Sequence, residues 1–168
     1  QITHINDMGK WQYSVPEETE FQVADGSCLK GWIMKPAGYK PGHKYPAILN
    51  IHGGPRTVFG SIFHHEMQVW ANAGYFVFYT NPRGSDGFGS EYGDICGKYG
   101  TVDYEDLMAF TDHVLAREDL KALIDLLYFS HLPPQQVKQL AEKLKRIQIR
   151  SFDDGKTLVR NLPSAGKA

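Results

Sequence analysis

The sequence has few of the features that would place a protein outside the cytoplasm or in a membrane. Only two of its 168 residues are cysteine, Cys28 and Cys96, and they lie far apart. No charged segment followed by an apolar one stands at its beginning, and no apolar run approaches the roughly 18 residues that a membrane span needs. These features predict reduced thiols, a cytoplasmic location and no membrane partner.

The chain also lacks internal repeats, low-complexity tracts and a large excess of one charge. Its net charge is -1, and 42% of its residues are hydrophobic, which is typical of a globular protein with a core. The charge is distributed unevenly, since residues 1–120 carry 9 Lys+Arg against 15 Asp+Glu and residues 121–168 carry 9 against 4. Aromatic residues are also scarce in the second part, so the composition predicts a boundary near residue 120.

One stretch stands out, a run over residues 47–51 in which four of the five residues are apolar and which ends abruptly in His52-Gly53-Gly54-Pro55. A short continuous apolar run is typical of a strand in a sheet that is covered on both faces. Glycine has no Cβ, so it allows left-handed or crowded backbone and a close approach to a bound group, whereas proline prevents further ladder pairing. Such a loop can direct backbone N–H donors at an anion.

The patterns around this strand predict an open α/β arrangement. Alternation predicts an antiparallel pair of strands over residues 20–24 and 29–34, joined by a turn at Asp25-Gly26. The following elements are predicted as a helix over residues 61–73, a buried strand over 75–79, a glycine-rich loop over 81–89 and a helix from Asp103.

Five segments are together specific enough to indicate a family. They are residues 21–26, 31–36, 45–55, 80–89 and 103–108, which read FQVADG, GWIMKP, YPAILNIHGGP, TNPRGSDGFG and DYEDLM. In this order and spacing, residues 1–115 resemble the start of the catalytic domain of the prolyl oligopeptidase (S9) family of serine peptidases, in its acylaminoacyl-peptidase and dipeptidyl-aminopeptidase-like branch. The resemblance implies an α/β-hydrolase fold, a peptide substrate cleaved through an acyl-enzyme, and a β-propeller before the catalytic domain.

We therefore divide the chain into three parts. Residues 1–16 are interpreted as a linker from an absent β-propeller, residues 17–117 as the N-terminal half of an α/β-hydrolase catalytic domain, and residues 118–168 as an unassigned basic α+β tail. The predicted fold class is α/β, a partial α/β-hydrolase fold with an incomplete, mostly parallel sheet and helices. Such a sheet leaves an open edge and apolar surface, which predicts a homo-oligomer or a partner that covers the edge.

The resemblance assigns His52, Gly53 and Gly54 to an oxyanion hole, the set of donors that stabilises the negative oxygen formed in acyl transfer. The structural alternative for His52 is a side chain that only fixes the loop. Arg83, in the Asn-Pro-Arg-Gly loop, is predicted to be structural, with its guanidinium holding loop carbonyls or a carboxylate such as that of Asp86. Glu91 is a second candidate partner for the same guanidinium.

No serine or cysteine stands in the sequence setting of a nucleophile. An α/β-hydrolase needs Gly-x-Ser-x-Gly at a tight turn between a strand and a helix, and none of the eight serines has glycine on both sides at that spacing. Ser85 and Ser164 have it only downstream. We therefore interpret the chain as truncated before the Ser-Asp-His triad and expect it to be catalytically inactive. A serine or cysteine within one hydrogen bond of an imidazole beside the two glycines would contradict this interpretation.

Neither a metal nor an organic cofactor is expected. The pair His65-Glu66 lacks the second histidine that a zinc-protease helix carries three residues after the glutamate, and the run from Gly84 to Gly89 lacks the Lys-Ser/Thr of a phosphate loop. The acidic residues within 103–106 are interpreted as a solvated first turn of a helix, where carboxylates complement the helix dipole.

The basic tail supplies an alternative from another class, a non-enzymatic binding module. Helices predicted over residues 118–128 and 133–146, followed by a hairpin over residues 147–159, have the outline of a winged-helix nucleic-acid module. Lysine-rich amphipathic helices are more often simply solvated on one face, so nucleic acid is not the partner that we expect.

The nucleic-acid alternative has a direct test. A tail that binds DNA or RNA would retain the chain on immobilised nucleic acid, and the retention would fall steeply as salt is added, because binding releases counterions. We expect no such retention at low salt. Retention that is lost on adding salt would establish the alternative, whereas retention insensitive to salt would not support it.

Overall fold

The computed structural model describes residues 9, 12–53, 56–117, 120, 124–129, 147–151 and 157–161. Within these residues, seven strands form one sheet and three helices lie in its connections. The elements in chain order are β1 (Glu17–Gln22), β2 (Cys28–Met34), β3 (Tyr45–Asn50), α1 (His65–Asn72), β4 (Phe76–Thr80), α2 (Ser90–Gly93), α3 (Val102–Ala116), β5 (Ile124–Phe129), β6 (Ile147–Ser151) and β7 (Thr157–Asn161).

The strands lie side by side in the order β1-β2-β4-β3-β5-β7-β6. The three central strands β4, β3 and β5 are parallel to one another, and all other neighbours are antiparallel. The predicted α/β class is confirmed, but the sheet is mixed rather than mostly parallel because an antiparallel pair flanks the centre on each side. The open edge that an incomplete sheet would leave beside β3 is filled by β5, so β1 and β6 are the edges.

The predicted hairpin between β1 and β2 is confirmed. Gly26 takes a left-handed conformation with φ 86°, and the Asp25 carboxylate accepts a hydrogen bond of 2.8 Å from the Ser27 backbone N–H. The predicted strands at β3 and β4 and the helix α3 are also confirmed within a few residues. Helix α1 is shorter than predicted because residues 61–64 are not helical, and it ends before Gly74, where φ is 94°.

Apolar side chains cover both faces of the sheet, as predicted for β3. On one face, α3 packs against alternate residues of β1 to β4, and this cluster comprises Phe21, Val23, Leu29, Ile33, Ala47, Leu49, Ile51, Phe76, Phe78, Tyr104, Leu107, Met108, Phe110, Val114 and Leu120. On the other face, α1 completes a smaller cluster with Trp32, Met34, Met67, Ala71, Val77 and Tyr79. Period-two alternation along β2 and β4 therefore divides their side chains between the two faces.

The tail departs from the prediction at its start. The helix predicted over residues 118–128 is wrong in its second half, since residues 124–129 form β5 parallel to β3, with Leu49 opposite Phe129. The hairpin predicted over residues 147–159 is confirmed as β6 and β7, and β7 pairs with β5, which joins the hairpin to the main sheet. The helix predicted over residues 133–146 and most of the predicted linker lie outside the described residues.

The described part of the chain contains no helix that is both long and apolar enough to cross a membrane.

A side chain of α3 packs directly on Gly31 of β2. A Cβ on Gly31 would lie 2.2 Å from Cε2 of Phe110, and the Phe110 ring is fully buried. The ring is held by Phe21 at 4.8 Å and by Phe78 at 5.8 Å between ring centroids. Glycine is therefore required at position 31 because of the space that the Phe110 ring takes.

We predict that Gly31→Ala lowers the free energy of unfolding by about 1–3 kcal/mol, the usual cost of overpacking a core. The measurement is chemical denaturation of the variant and of Gly60→Ala, a matched control whose Cβ would meet no atom within 4 Å. The double variant Gly31→Ala/Phe110→Leu should lose less than the two single losses added together, because it removes the clash. Additive losses, or equal losses at positions 31 and 60, would contradict the packing explanation.

Candidate functional site

The candidate site lies where β3 ends, between β4 and β5. Parallel strands bring their carboxyl ends to the same edge of a sheet, and this edge is the usual ligand side of an open α/β fold. His52 follows β3 and is half-buried, and Gly53 is exposed. Gly54 and Pro55 lie outside the described residues, so the part of the oxyanion prediction that concerns Gly54 stays a prediction.

Gly53 departs from the expectation about its backbone. It does not adopt a left-handed φ, and a Cβ added to it would meet no atom within 4 Å. Among the described residues of this loop, Arg56 has a left-handed conformation, with φ 57°. Neither strain nor crowding within the chain accounts for glycine at position 53, and the open space beside it leaves room for another group to approach its backbone.

The structure places a serine beside the imidazole at this turn. Oγ of Ser85 lies 3.0 Å from Nε2 of His52, and the Ser85 hydroxyl donates a 2.6 Å hydrogen bond to the Pro82 carbonyl. The distance condition that would contradict the inactive interpretation is therefore met. Whether Ser85 is a nucleophile depends on the direction of the hydrogen bonds and on access.

The direction follows from counting protons. Burial lowers the pKa of His52, and contacts with the Gly53 carbonyl and the Asn81 side chain oppose the shift. The ring is therefore neutral near pH 7 and carries one N–H, either on Nε2, 3.0 Å from Ser85 Oγ, or on Nδ1, 3.3 Å from the Gly53 carbonyl. If the Ser85 hydroxyl donated to His52, its oxygen would face the Pro82 carbonyl at 2.6 Å with no proton between them. We therefore assign the ring proton to Nε2, which donates to Ser85 Oγ.

This arrangement is the reverse of a catalytic serine and its base. In a Ser-His pair the imidazole accepts a hydrogen bond from the hydroxyl and then takes its proton. Here the imidazole donates a hydrogen bond to Oγ, and the hydroxyl donates its own hydrogen bond to a backbone carbonyl. Ser85 is also fully buried, with 0% exposure, so a substrate carbonyl has no access to its oxygen. In this geometry Ser85 orients the His52 ring and is not a nucleophile.

In such a fold a nucleophile is expected in the sequence directly after the parallel strand that lies beside β3, here β5. The last residue of β5 is Phe129, which lies opposite Leu49 of β3, and Ser130 is the next residue in the sequence. The two positions that a nucleophile elbow fills with glycine are occupied by Tyr128 and Leu132. The sequence after β5 therefore has a serine without the glycines that make the tight turn possible.

Arg83 connects three parts of the fold, and the prediction of a structural role agrees with its contacts. Its Nε and Nη2 donate to the two carboxylate oxygens of Asp106 at 2.9 and 2.7 Å, and its backbone N–H donates to the same carboxylate at 2.8 Å. Nη1 reaches Asp25 in the β1–β2 turn at 3.0 Å. The predicted partners Asp86 and Glu91 are wrong, because the fully buried carboxylate of Asp106 is the one that needs a cation.

Asp106 also corrects the interpretation of the acidic turn. It was expected on a solvated helix face but is buried, and its bidentate contact holds the pKa of Arg83 above the usual value. No group of three or more metal-ligating side chains occurs among the described residues. His64 and His65, at the start of α1, do not form one.

Two residues of the site were not singled out from the sequence. Asn81 was noted only as part of the Asn-Pro-Arg-Gly loop, and Ser85 was rejected on spacing. The strand that ends at Thr80 and the turn residues that follow were visible in the sequence, but the pairing of this loop with His52 depends on the parallel register of β3 and β4.

The fold is that of a partial α/β-hydrolase, and comparisons with known proteins agree. Residues 61–122 match the family model described as the prolyl oligopeptidase family. The uncharacterized peptidase YuxL of Bacillus subtilis is 43% identical over 121 residues, which are 70% of this chain and 18% of that protein. Dipeptidyl-peptidase 5 of Arthroderma otae is 38% identical over 111 residues, which are 63% of this chain and 15% of that protein.

A solved structure gives the same result. The acylaminoacyl peptidase of Pyrococcus horikoshii superposes with a TM-score of 0.70 at 31% identity, over 77% of this chain and 21% of that one. The matched part of this chain is similar in sequence and structure to the prolyl oligopeptidase family, which confirms the resemblance found in the sequence. The chain spans only 15–18% of the length of the two curated relatives.

We predict that Arg83→Met destabilises the fold by about 3–5 kcal/mol, because it leaves the Asp106 carboxylate buried without its cation. Asp25→Asn is the matched control, since Asp25 is half exposed and its side chain still accepts from Ser27. Denaturation curves for the two variants check this, and the control should change little. Equal effects of the two variants would mean that the exposed Asp25 contact, and not the buried Asp106 contact, carries the role of Arg83.

Proposed function

We propose that this chain forms the oxyanion side of a prolyl oligopeptidase-type site and does not hydrolyse peptides by itself. The observation that carries the proposal is the turn after β3, where His52 and Gly53 stand at the carboxyl edge of the parallel strands, while Ser85 is buried and its Oγ accepts a hydrogen bond from the imidazole. The site thus has an exposed backbone at Gly53 that an anion can approach, and no attacking group among the described residues.

The chemistry of the turn supports acyl transfer as the reaction to which it contributes. A negative oxygen that forms on an acyl carbon is stabilised by N–H donors held in place beforehand, and Gly53 is exposed at the strand end that α/β-hydrolases use for this purpose. The names of the relatives, acylaminoacyl peptidase and dipeptidyl-peptidase 5, support a peptide as the substrate class of a complete site of this kind.

His52 has an orienting role in this proposal. Its ring donates from Nε2 to Ser85 and packs edge-on against Phe59 with 5.0 Å between ring centroids. Because the ring is held on both sides, it fixes the peptide that leads into Gly53. The sequence allowed two roles for His52, an oxyanion residue and a residue that fixes the loop. The two roles are compatible, since holding the loop is how His52 would serve the anion site.

A reducing compartment belongs to the same proposal. The two cysteines, Cys28 and Cys96, are both exposed and unpaired, which supports the cytoplasm as the location.

The absence of turnover is tested with a fluorophosphonate probe and an acyl-amino-acid chromogenic ester, with an intact serine hydrolase as the positive control. We expect neither labelling nor ester turnover by this chain, because Ser85 is buried and the sequence after β5 lacks the two glycines of a nucleophile elbow. The variants Ser85→Ala and Ser130→Ala make a positive result interpretable. Labelling that either variant abolishes would identify the nucleophile and overturn the proposal, as would labelling of any other serine.

A further inference from the structure

One buried side chain, that of Asn81, makes two hydrogen bonds to the segment that follows the glycine turn, residues 56–61. The Asn81 amide oxygen accepts a 2.7 Å hydrogen bond from the Phe59 N–H, and its amide nitrogen donates a 2.9 Å bond to the Phe59 carbonyl. Only one orientation of the amide makes both bonds, which fixes its assignment. Asn81 is 2% exposed, so neither bond has water as a substitute.

Asn81 is itself firmly placed. It is the first residue after the fully buried strand β4, and its backbone carbonyl accepts a 2.6 Å hydrogen bond from the Tyr92 hydroxyl. The loop that begins with Asn81 also bonds the segment directly, because the Asp86 N–H donates to the Thr57 carbonyl at 3.1 Å. The segment is therefore docked on the rigid end of β4.

Phe59 carries this placement to the candidate site. Its ring packs edge-on against His52, at 5.0 Å between centroids, and against Tyr79, at 5.2 Å. The Tyr79 hydroxyl donates to the Gly60 carbonyl at 3.2 Å, and burial raises the pKa of Tyr79 to about 12, so this donor keeps its proton at any physiological pH. One face of the His52 ring thus depends on where Asn81 holds Phe59.

Chain length makes the coupling tight. Only two residues separate Gly53 from Arg56, so three Cα–Cα steps join them and their Cα atoms lie at most about 11 Å apart. This short connection is anchored on one side by β3 and on the other by the hydrogen bonds to residues 57, 59 and 60. We therefore expect a shift of Phe59 to be transmitted to the His52 ring against which it packs.

We propose that Asn81 is the positioning residue of the His52-Gly53 turn, acting through Phe59 and through the contact of its own side chain with the His52 ring. The inference rests on the proposed function, since it names the side chain that sets the geometry of the same oxyanion turn. Misplacement of a preorganised donor by about 1 Å can reduce a reaction rate about 100-fold, so a residue that fixes this turn matters to any acyl transfer that the site supports.

The chain contains its own control for this proposal. Gln68 makes the same pair of bonds with another residue, accepting from the Ser14 N–H at 2.9 Å and donating to the Ser14 carbonyl at 2.7 Å. Gln68 is similarly buried, at 8% exposure, but it lies on α1 and holds the segment that leads into β1. Gln68→Ala therefore removes an equivalent pair of bonds without touching the turn.

The experiment is NMR of the whole chain labelled with 15N, reading the His52 ring nitrogens and the exchange rates of backbone amides. Asn81→Ala should raise the exchange rate of the Phe59 amide about 10–100-fold, the loss expected from one or two buried hydrogen bonds, and should shift the His52 ring signals. Gln68→Ala should raise exchange at Ser14 and leave the His52 ring signals unchanged.

Asn81→Asp separates positioning from general loosening of the fold. Aspartate has the same shape and still accepts from the Phe59 N–H, but it cannot donate to the Phe59 carbonyl, so Phe59 exchange should rise less than in Asn81→Ala. It also decides the matter if Asn81→Ala does not fold. Unchanged His52 signals in the folded Asn81 variants, or equal changes in Gln68→Ala, would overturn the proposal.

The outcome is independent of the labelling experiment. A chain labelled by the fluorophosphonate probe would refute the proposed function and leave the exchange result standing. Unchanged Phe59 exchange and His52 signals would refute the positioning role and leave the proposed absence of turnover standing.

Discussion

The burial of β4 on both faces is the constraint on which the rest of the structure depends. All five of its residues are buried, and it pairs with β2 on one side and β3 on the other. Phe78 packs with the cluster of α3, whereas Val77 and Tyr79 pack with the cluster of α1. A shift of one residue in register would exchange the two faces, so the strand has one position and the loop that follows it has a fixed origin.

The strand ends were visible in the sequence because local patterns encode them. A mostly apolar run that ends at His52-Gly53 predicts a buried strand and its turn from neighbouring residues alone. Partners from distant segments were not visible in the same way. Asp106 is separated from Arg83 by 23 residues, and a carboxylate in the first turns of a helix is ordinarily solvated, so only the packing of α3 on the sheet reveals the buried ion pair.

The start of the tail shows a different limit. Leucine or isoleucine at positions 120, 123, 124 and 127 satisfies the helical spacing, while residues 124–129 also form a short apolar run that suits a buried strand. Periodicity cannot distinguish a helix from a strand here. The change in charge near residue 120 favoured the interpretation of the tail as a separate unit. Residues 124–129 form a strand because a parallel partner beside β3 satisfies the backbone groups that β3 presents on that side.

The contact between Ser85 and His52 shows why a short distance between a serine and an imidazole does not define a nucleophile. Three polar groups in the loop from Asn81 to Ser85 already have hydrogen-bond partners. The Asn81 amide bonds Phe59, the Pro82 carbonyl accepts from the Ser85 hydroxyl, and the Arg83 guanidinium donates to acidic side chains. A hydroxyl whose proton is held by a carbonyl has none to give to a base. The loop after β4 therefore acts as a support for the turn after β3, and a group that attacks an acyl carbon beside Gly53 must come from outside that loop.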